Sequence, residues 1–150
     1  MKVSTRTRYG MRALAELAAA RPHGVISVRQ IADAQNVSPK YLEQIMGTLR
    51  AAGLVEGVHG VNGGYRLTRA PEDILLGEVF RLFEGSTAVV ACVDDSDVCP
   101  MKDVCPTRDT WVEIKDAVDA VLARTSVRDL AERALQMRVL QKHHAPMYYI

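Results

Sequence analysis

Apolar residues recur at helical spacing along the first third of the chain, punctuated by small polar residues and glycines. Met11, Leu14, Ala15 and Ala18 fall on one helical face and Arg8 and Arg12 on another, which predicts a first helix over residues 3–20. Arg21-Pro22-His23-Gly24 ends it. Ser27, with Gln30 three residues on, forms a capping-box pair that opens a short helix from Val28 to about Ala34. Asn36 suits a left-handed turn. Ser38 caps a third helix, and Pro39 sits in its first turn, where a missing N–H costs nothing. Tyr41, Leu42, Ile45, Met46 and Leu49 carry the periodicity of that helix, and Gly53 stops it. The two short helices stand about four residues apart, which is helix-turn-helix spacing. An ordinary helical hairpin has the same spacing.

The next segment favours the first alternative. Leu54-Val55-Glu56 and Tyr65-Arg66-Leu67 read as short strands joined by His59-Gly60-Val61-Asn62-Gly63-Gly64, a turn-rich loop. A hairpin directly after a helix-turn-helix is a wing, and glycines at its tip let the backbone approach a phosphate or enter a narrow groove. Gly77 to Phe83 predicts another short helix, ended by Gly85. Residues 86–106 lack helical periodicity. A long helix is predicted from Thr107 to about Arg124, with the stripe Trp111, Ile114, Val118, Val121 and Leu122 on one face. Ser126-x-x-Asp129 caps a last helix through Leu130, Ala134, Leu135 and Met137, and the tail 141–150 shows no pattern.

Composition and charge sharpen this picture. Apolar residues make up 48% of the 150 positions but aromatics only 5%, so the core is built mainly from Ala, Leu, Val and Ile, a composition that leans helical. The net charge is +1, but it is unevenly spread. Residues 1–69 carry ten Lys/Arg against four Asp/Glu, a balance of +6; residues 70–150 carry nine against fourteen, a balance of −5. The basic first half is the footprint of a phosphate-binding surface. No apolar run approaches the ~18 residues of a membrane span, and MKVSTRTRYG is followed by no signal-peptide core, so a cytoplasmic protein is expected.

All three cysteines, Cys92, Cys99 and Cys105, lie in the irregular segment, with six and five residues between them. An odd count in a reducing compartment argues against a disulfide framework. Three thiolates in one flexible stretch can converge on an iron–sulfur cluster, zinc or copper(I). Zinc sites usually show closer Cys-x-x-Cys pairs, absent here. Free thiols or one reversible disulfide remain open on spacing alone.

Several stretches together resemble a known family, the IscR, NsrR and CymR group of bacterial winged-helix regulators. They are Thr7-Arg8-Tyr9-Gly10-Met11-Arg12-Ala13, Tyr41-Leu42-Glu43-Gln44, Leu49-Arg50-x-x-Gly53-Leu54-Val55, the wing Gly60-x-x-Gly63-Gly64-Tyr65-x-Leu67, and the cysteine triplet. The resemblance covers residues 1 to about 135. It implies a mainly α fold: a winged helix-turn-helix domain over 1–85 with a two-stranded wing, a cysteine-containing sensor loop over 86–106, dimerisation helices over 107–140, and a tail over 141–150. It also implies a homodimer packed through Trp111, Ile114, Val118, Val121 and Leu122. An iron–sulfur cluster, [2Fe-2S], on Cys92, Cys99 and Cys105 follows from the cluster-binding members. Two departures stand out. Arg108 occupies the position where IscR-type proteins carry a ligand His, and Arg8 the position where NsrR-type proteins carry an Asp offered to the partner. The fourth ligand is therefore open, between an acidic residue, His143, His144, an external thiol, or none.

The expected function is a DNA-binding repressor that senses cluster or redox status. The third helix enters the major groove of double-stranded DNA, with Glu43 and Gln44 toward base edges and Lys40 and Tyr41 near the helix N-terminus. Arg29, Ser38 and Arg50 contact phosphates, and His59, Gly60, Gly63 and Gly64 form the wing contact. A symmetric dimer wants a palindromic operator with half-sites about one turn apart. A thiol-disulfide switch, a regulator answering a partner protein or small molecule, and an iron–sulfur electron carrier are the alternatives. No nucleophile–base pair or phosphate cradle stands apart from the DNA-binding reading, so no enzyme is expected.

Overall fold

The computed structural model describes residues 2–20 and 24–144, with side chains through residue 140. The predicted helix stop at Arg21-Pro22-His23 and the end of the tail lie outside the described residues. Helix α1 (Thr5–Ala19) is capped by Ser4, whose hydroxyl accepts from the Thr7 N–H. Helix α2 (Val28–Gln35) opens on the Ser27–Gln30 capping box and closes on Asn36 in the left-handed region, φ 53 and ψ 49. Helix α3 (Pro39–Ala51) follows, with Ser38 as cap and Pro39 in the first turn. Strands β1 (Val55–Val58) and β2 (Gly64–Leu67) pair antiparallel, Val55 opposite Leu67 and Val58 opposite Gly64. Helices α4 (Leu76–Glu84), α5 (Ala91–Asp94), α6 (Arg108–Arg124) and α7 (Val127–His144) follow among the described residues.

One core serves the N-terminal helices, the foot of the wing and the start of α7. Leu42, Ile45, Met46 and Leu49 form the inward row of α3, and all four are fully buried. Burial of each such side chain contributes about 1.5–3 kcal/mol. They meet Leu14 of α1, Ile31 of α2, Leu54, Ile74 and Val79. Val127 of α7 is fully buried in the same cluster, and its N–H donates to the Ile74 carbonyl at 2.9 Å. Helix α7 then runs along α1, where Arg138 Nη2 sits 2.6 Å from Glu16 Oε2. Gln35 of α2 donates to Glu16 as well, so one carboxylate ties three helices.

The beginning of α1 is fixed to the end of α4. The Ser4 N–H donates to Glu84 Oε1 at 2.9 Å, and the fully buried Thr7 hydroxyl donates to the same oxygen. Hydrogen bonding from Ser4, then from Thr7, holds the Glu84 carboxyl below the usual carboxylate range.

The structure departs from the periodicity in two places. The cysteine segment holds the one-turn helix α5 and a 3₁₀ turn over Ser96–Val98, too short for any repeat to show. Helix α7 extends to His144, past the expected end of the helical region at 140.

Candidate nucleic-acid interface and cysteine loop

The helix pair α2–α3 is built from its caps. Ser27 and Gln30 exchange hydrogen bonds, with Gln30 N–H to Ser27 Oγ at 3.2 Å and Ser27 N–H to Gln30 Oε1 at 3.0 Å. The Asn36 turn redirects the chain, and the Ser38 hydroxyl accepts from the Tyr41 N–H at 3.2 Å. With the inward row of α3 committed to the core, the opposite face presents Lys40, Glu43, Gln44 and Arg50, all exposed. Ser38 and Arg29 are exposed beside them. No ion pair among the described residues uses Arg6, Arg8, Arg29, Lys40 or Arg50. Five cations on the N-terminal half thus have no carboxylate partner among the described residues.

Tyr41 differs from its neighbours. Its hydroxyl donates to Thr5 Oγ1 at 3.0 Å, and its ring meets Tyr9 edge to face at 6.0 Å. Arg12 lies 5.6 Å over the other partner, Tyr9. Tyr41 therefore holds α3 against α1, whatever else it touches.

The wing is anchored at its base and open at its tip. Ile26 exchanges two backbone hydrogen bonds with Tyr65, at 3.1 and 2.9 Å, which fixes the hairpin to the segment entering α2. A Cβ on Gly64 would run into the Ile26 carbonyl, so this close approach requires glycine. At the tip, Gly60 adopts φ 117 and its carbonyl accepts from the Gly63 N–H at 2.9 Å. His59, Gly60, Val61 and Asn62 are exposed, while Gly63 and Gly64 are half-buried.

Cys92 lies on α5, and Cys99 and Cys105 lie in irregular chain on either side of the turn over 100–104; all three are free and half-buried. Cys105 Sγ is 3.4 Å from Thr107 Oγ1. Hydrogen bonding from the Thr107 side chain, then its backbone N–H, lowers the Cys105 thiol below its ordinary range, and the charge of Arg108 adds to this. The Arg108 Nε is buried with no hydrogen-bond partner among the described residues. Among those residues no group of three or more His, Cys, Asp or Glu side chains is placed to hold a metal ion. The groups beside Cys105 are a hydroxyl and a guanidinium, and the guanidinium cannot ligate a metal. As arranged, the loop does not fit a cluster. The side chains of His143 and His144 lie outside the described residues.

A family model described as Rrf2, iron-dependent transcriptional regulator, matches residues 3–133. The chain belongs to the Rrf2 family. The HTH-type transcriptional regulator CymR of Bacillus subtilis is 40% identical over 131 residues, 87% of this chain and 90% of CymR. The solved structure of CymR, the global cysteine regulator of B. subtilis, matches with a TM-score of 0.76 at 38% identity, over 89% of this chain and 98% of CymR. NsrR of B. subtilis is 35% identical over 143 residues, covering 95% of this chain and 98% of NsrR. The structure of IscR of T. potens matches with a TM-score of 0.70 at 32% identity, over 99% of this chain and 97% of IscR. The Rrf2 chain is therefore a DNA-binding transcriptional regulator with a winged-helix fold, and its relatives are regulators rather than enzymes.

The remaining expected site of this Rrf2 chain is the stripe on α6. No residue of α6 is fully buried. Ile114 is 37% and Val121 48% exposed, with Trp111 and Val118 half-buried. Leu122 instead packs against the domain core. Trp111 donates its indole N–H to Thr107 at 3.2 Å, which orients the ring at the start of the helix. Leu135, Met137, Val139 and Leu140 of α7 add further exposed apolar surface. No helix of the described residues is long and apolar enough to cross a membrane.

Sequence reasoning missed two polar clusters. One is Glu84 with Ser4 and Thr7, which no short-range pattern announces. The other is Thr87 with Asp119 and Lys115, of which only the Lys115–Asp119 spacing of four was readable on the helix.

Proposed function

We propose that this Rrf2 regulator is a cytoplasmic homodimeric repressor that places α3 in the major groove of a palindromic operator. The observation that carries this reading is the division of α3 into a fully buried row and an exposed row of Lys40, Glu43, Gln44 and Arg50. Gln44 can pair with adenine and Glu43 can accept from cytosine. Arg29, Ser38, Lys40 and Arg50 hold phosphates, and Tyr41 sets the angle of the helix through Thr5. His59 and Gly60 bring the wing tip to the minor groove. Trp111, Ile114, Val118 and Val121 form the dimer seam, which uses apolar surface that one chain leaves exposed.

Cys92, Cys99 and Cys105 are the sensory thiols. Two forms of sensing are separable by experiment. One is an iron–sulfur cluster, [2Fe-2S], with its fourth ligand open; the loop has to rearrange to receive it. The other is thiol redox chemistry without a metal, supported by three free thiols of which Cys105 has a hydroxyl neighbour in Thr107. Iron and sulfide counts with an absorption spectrum on anaerobically purified protein separate the two. Fluorescence anisotropy with a duplex selected by the protein from a random pool then tests sensing. Different affinities for the anaerobic and oxidised forms are expected. Equal affinities in both forms overturn the sensory reading, and absence of any selected duplex overturns the DNA-binding roles given to α3.

A further inference from the structure

A polar cluster that the DNA-binding reading does not use sits beneath the cysteine loop. Thr87 is only 3% exposed, and its hydroxyl donates to Asp119 Oδ1 at 2.8 Å. Lys115 Nζ donates to the other oxygen, Oδ2, at 2.6 Å. Both oxygens of one carboxylate are thus engaged, one by the strap after α4 and one by α6 itself. Asp94, two residues beyond Cys92 on α5, and Arg81 on α4 line the same cavity of about 240 Å³. The hydrogen bond from Lys115, then that from Thr87, keeps Asp119 ionised, and the charge of Arg81 supports it. Lys115 in turn feels Asp119 first and Asp94 after it.

The cluster is connected to α3 through α4 and α1. Thr87 lies two residues beyond Gly85, where α4 ends. Helix α4 packs on both α1 and α6. The Phe83 ring lies so close to Gly10 of α1 that a Cβ there would come within 2.7 Å of it. Ile45 of α3 faces the same point, 3.6 Å away. A shift of α4 therefore meets α1 at Gly10, and α1 in turn packs on α3, along a path of the kind by which packed interiors transmit strain.

We infer that Asp119, held by Lys115 and Thr87, is the positioning residue through which the state of the cysteine loop reaches the DNA-binding helices. Movement of α5 carries the Asp94 carboxylate toward or away from Lys115. Lys115 is then shared differently between Asp94 and Asp119, and the pull of Asp119 on Thr87 changes with it. The buried Thr87 hydroxyl makes this more than a surface ion pair, which alone is worth little. This inference rests on the reading of the loop as sensory.

The test compares wild type with Asp119→Asn, Thr87→Val and the conservative Lys115→Arg. Each is titrated by anisotropy against the selected duplex, as purified anaerobically and after oxidation with diamide. Wild type is expected to show at least a tenfold difference in Kd between the two states. Asp119→Asn and Thr87→Val are expected to reduce it below twofold with the anaerobic Kd close to wild type, and Lys115→Arg is expected to keep the response. A merely structural role would move the anaerobic Kd instead, and overturns the inference. A wild-type response retained in both Asp119→Asn and Thr87→Val overturns this inference alone. Loss of the response in wild type itself overturns the sensory reading together with it.

Discussion

Glu84 links Ser4 and Thr7, at the opening of α1, to the far end of α4, so its charge state matters to how α1 begins. Its carboxylate accepts from the Ser4 N–H and the Thr7 hydroxyl, and its pKa is lowered in the folded state. A lowered folded pKa adds stability above the unfolded value and loses it as pH falls through the folded one. Glu84→Gln is therefore expected to cost about 1–2 kcal/mol at pH 7. That difference should close as the pH falls below the ordinary glutamate range near about 4.3. Urea unfolding of both proteins at neutral and acid pH checks it, and a constant difference would contradict the pairing. Gln44 belongs to the other face of the molecule. Gln44→Ala is expected to relax preference at one base pair per half-site by about tenfold, since a bidentate base contact discriminates by about 1–3 kcal/mol. Competition binding with single-position operator variants measures it.

At the scale of elements, the caps made the helix-turn-helix legible. Ser27 with Gln30, Asn36 and Ser38-Pro39 each act within four residues, and the structure places each one where its short-range chemistry demands. Ser38→Ala removes the acceptor for the Tyr41 N–H and is expected to destabilise the fold by about 1 kcal/mol, measured by urea unfolding. The wing was legible from its glycines, but its anchoring to Ile26 was not, because that pairing joins positions 39 residues apart. The cysteine loop marks the other limit. Spacing says that Cys92, Cys99 and Cys105 are able to converge; it does not contain the α5 turn, the Asp95 side chain accepting from the Asp97 N–H, or the Lys102–Asp97 pair that shape the loop. Those contacts depend on which of several equivalent polar neighbours each side chain meets.

For the molecule as a whole, charge is unevenly spread, with a balance of +6 over residues 1–69 and −5 over residues 70–150, and α6 and α7 carry exposed aliphatic side chains. In the proposed dimer, a symmetric pair of chains joined along α6 would present two copies of α3 to one duplex. Val118→Glu places a charge in that seam and is expected to give a monomer by sedimentation, with operator affinity reduced at least a hundredfold because the two half-sites no longer act together. Arg29→Ala is expected to lower the slope of log affinity against log salt by about one per subunit without altering the preferred sequence. The stripe on α6 was readable from its period, yet the sequence did not separate Leu122, which faces inward, from Val121, which faces out.

The return of α7 to α1 has a consequence for how this chain can be divided. Val127 and Ala131 fill the core from a point more than 40 residues beyond the last residue of α4, and Arg138 closes over Glu16. A fragment cut after Gly85 would keep every residue proposed to touch DNA and still lack a wall of its own interior. The winged-helix part and the C-terminal helices are therefore not modules that can be exchanged between relatives at that boundary. A functional chimera has to carry α1 and α7 together, from the same parent, as two ends of one sealed unit.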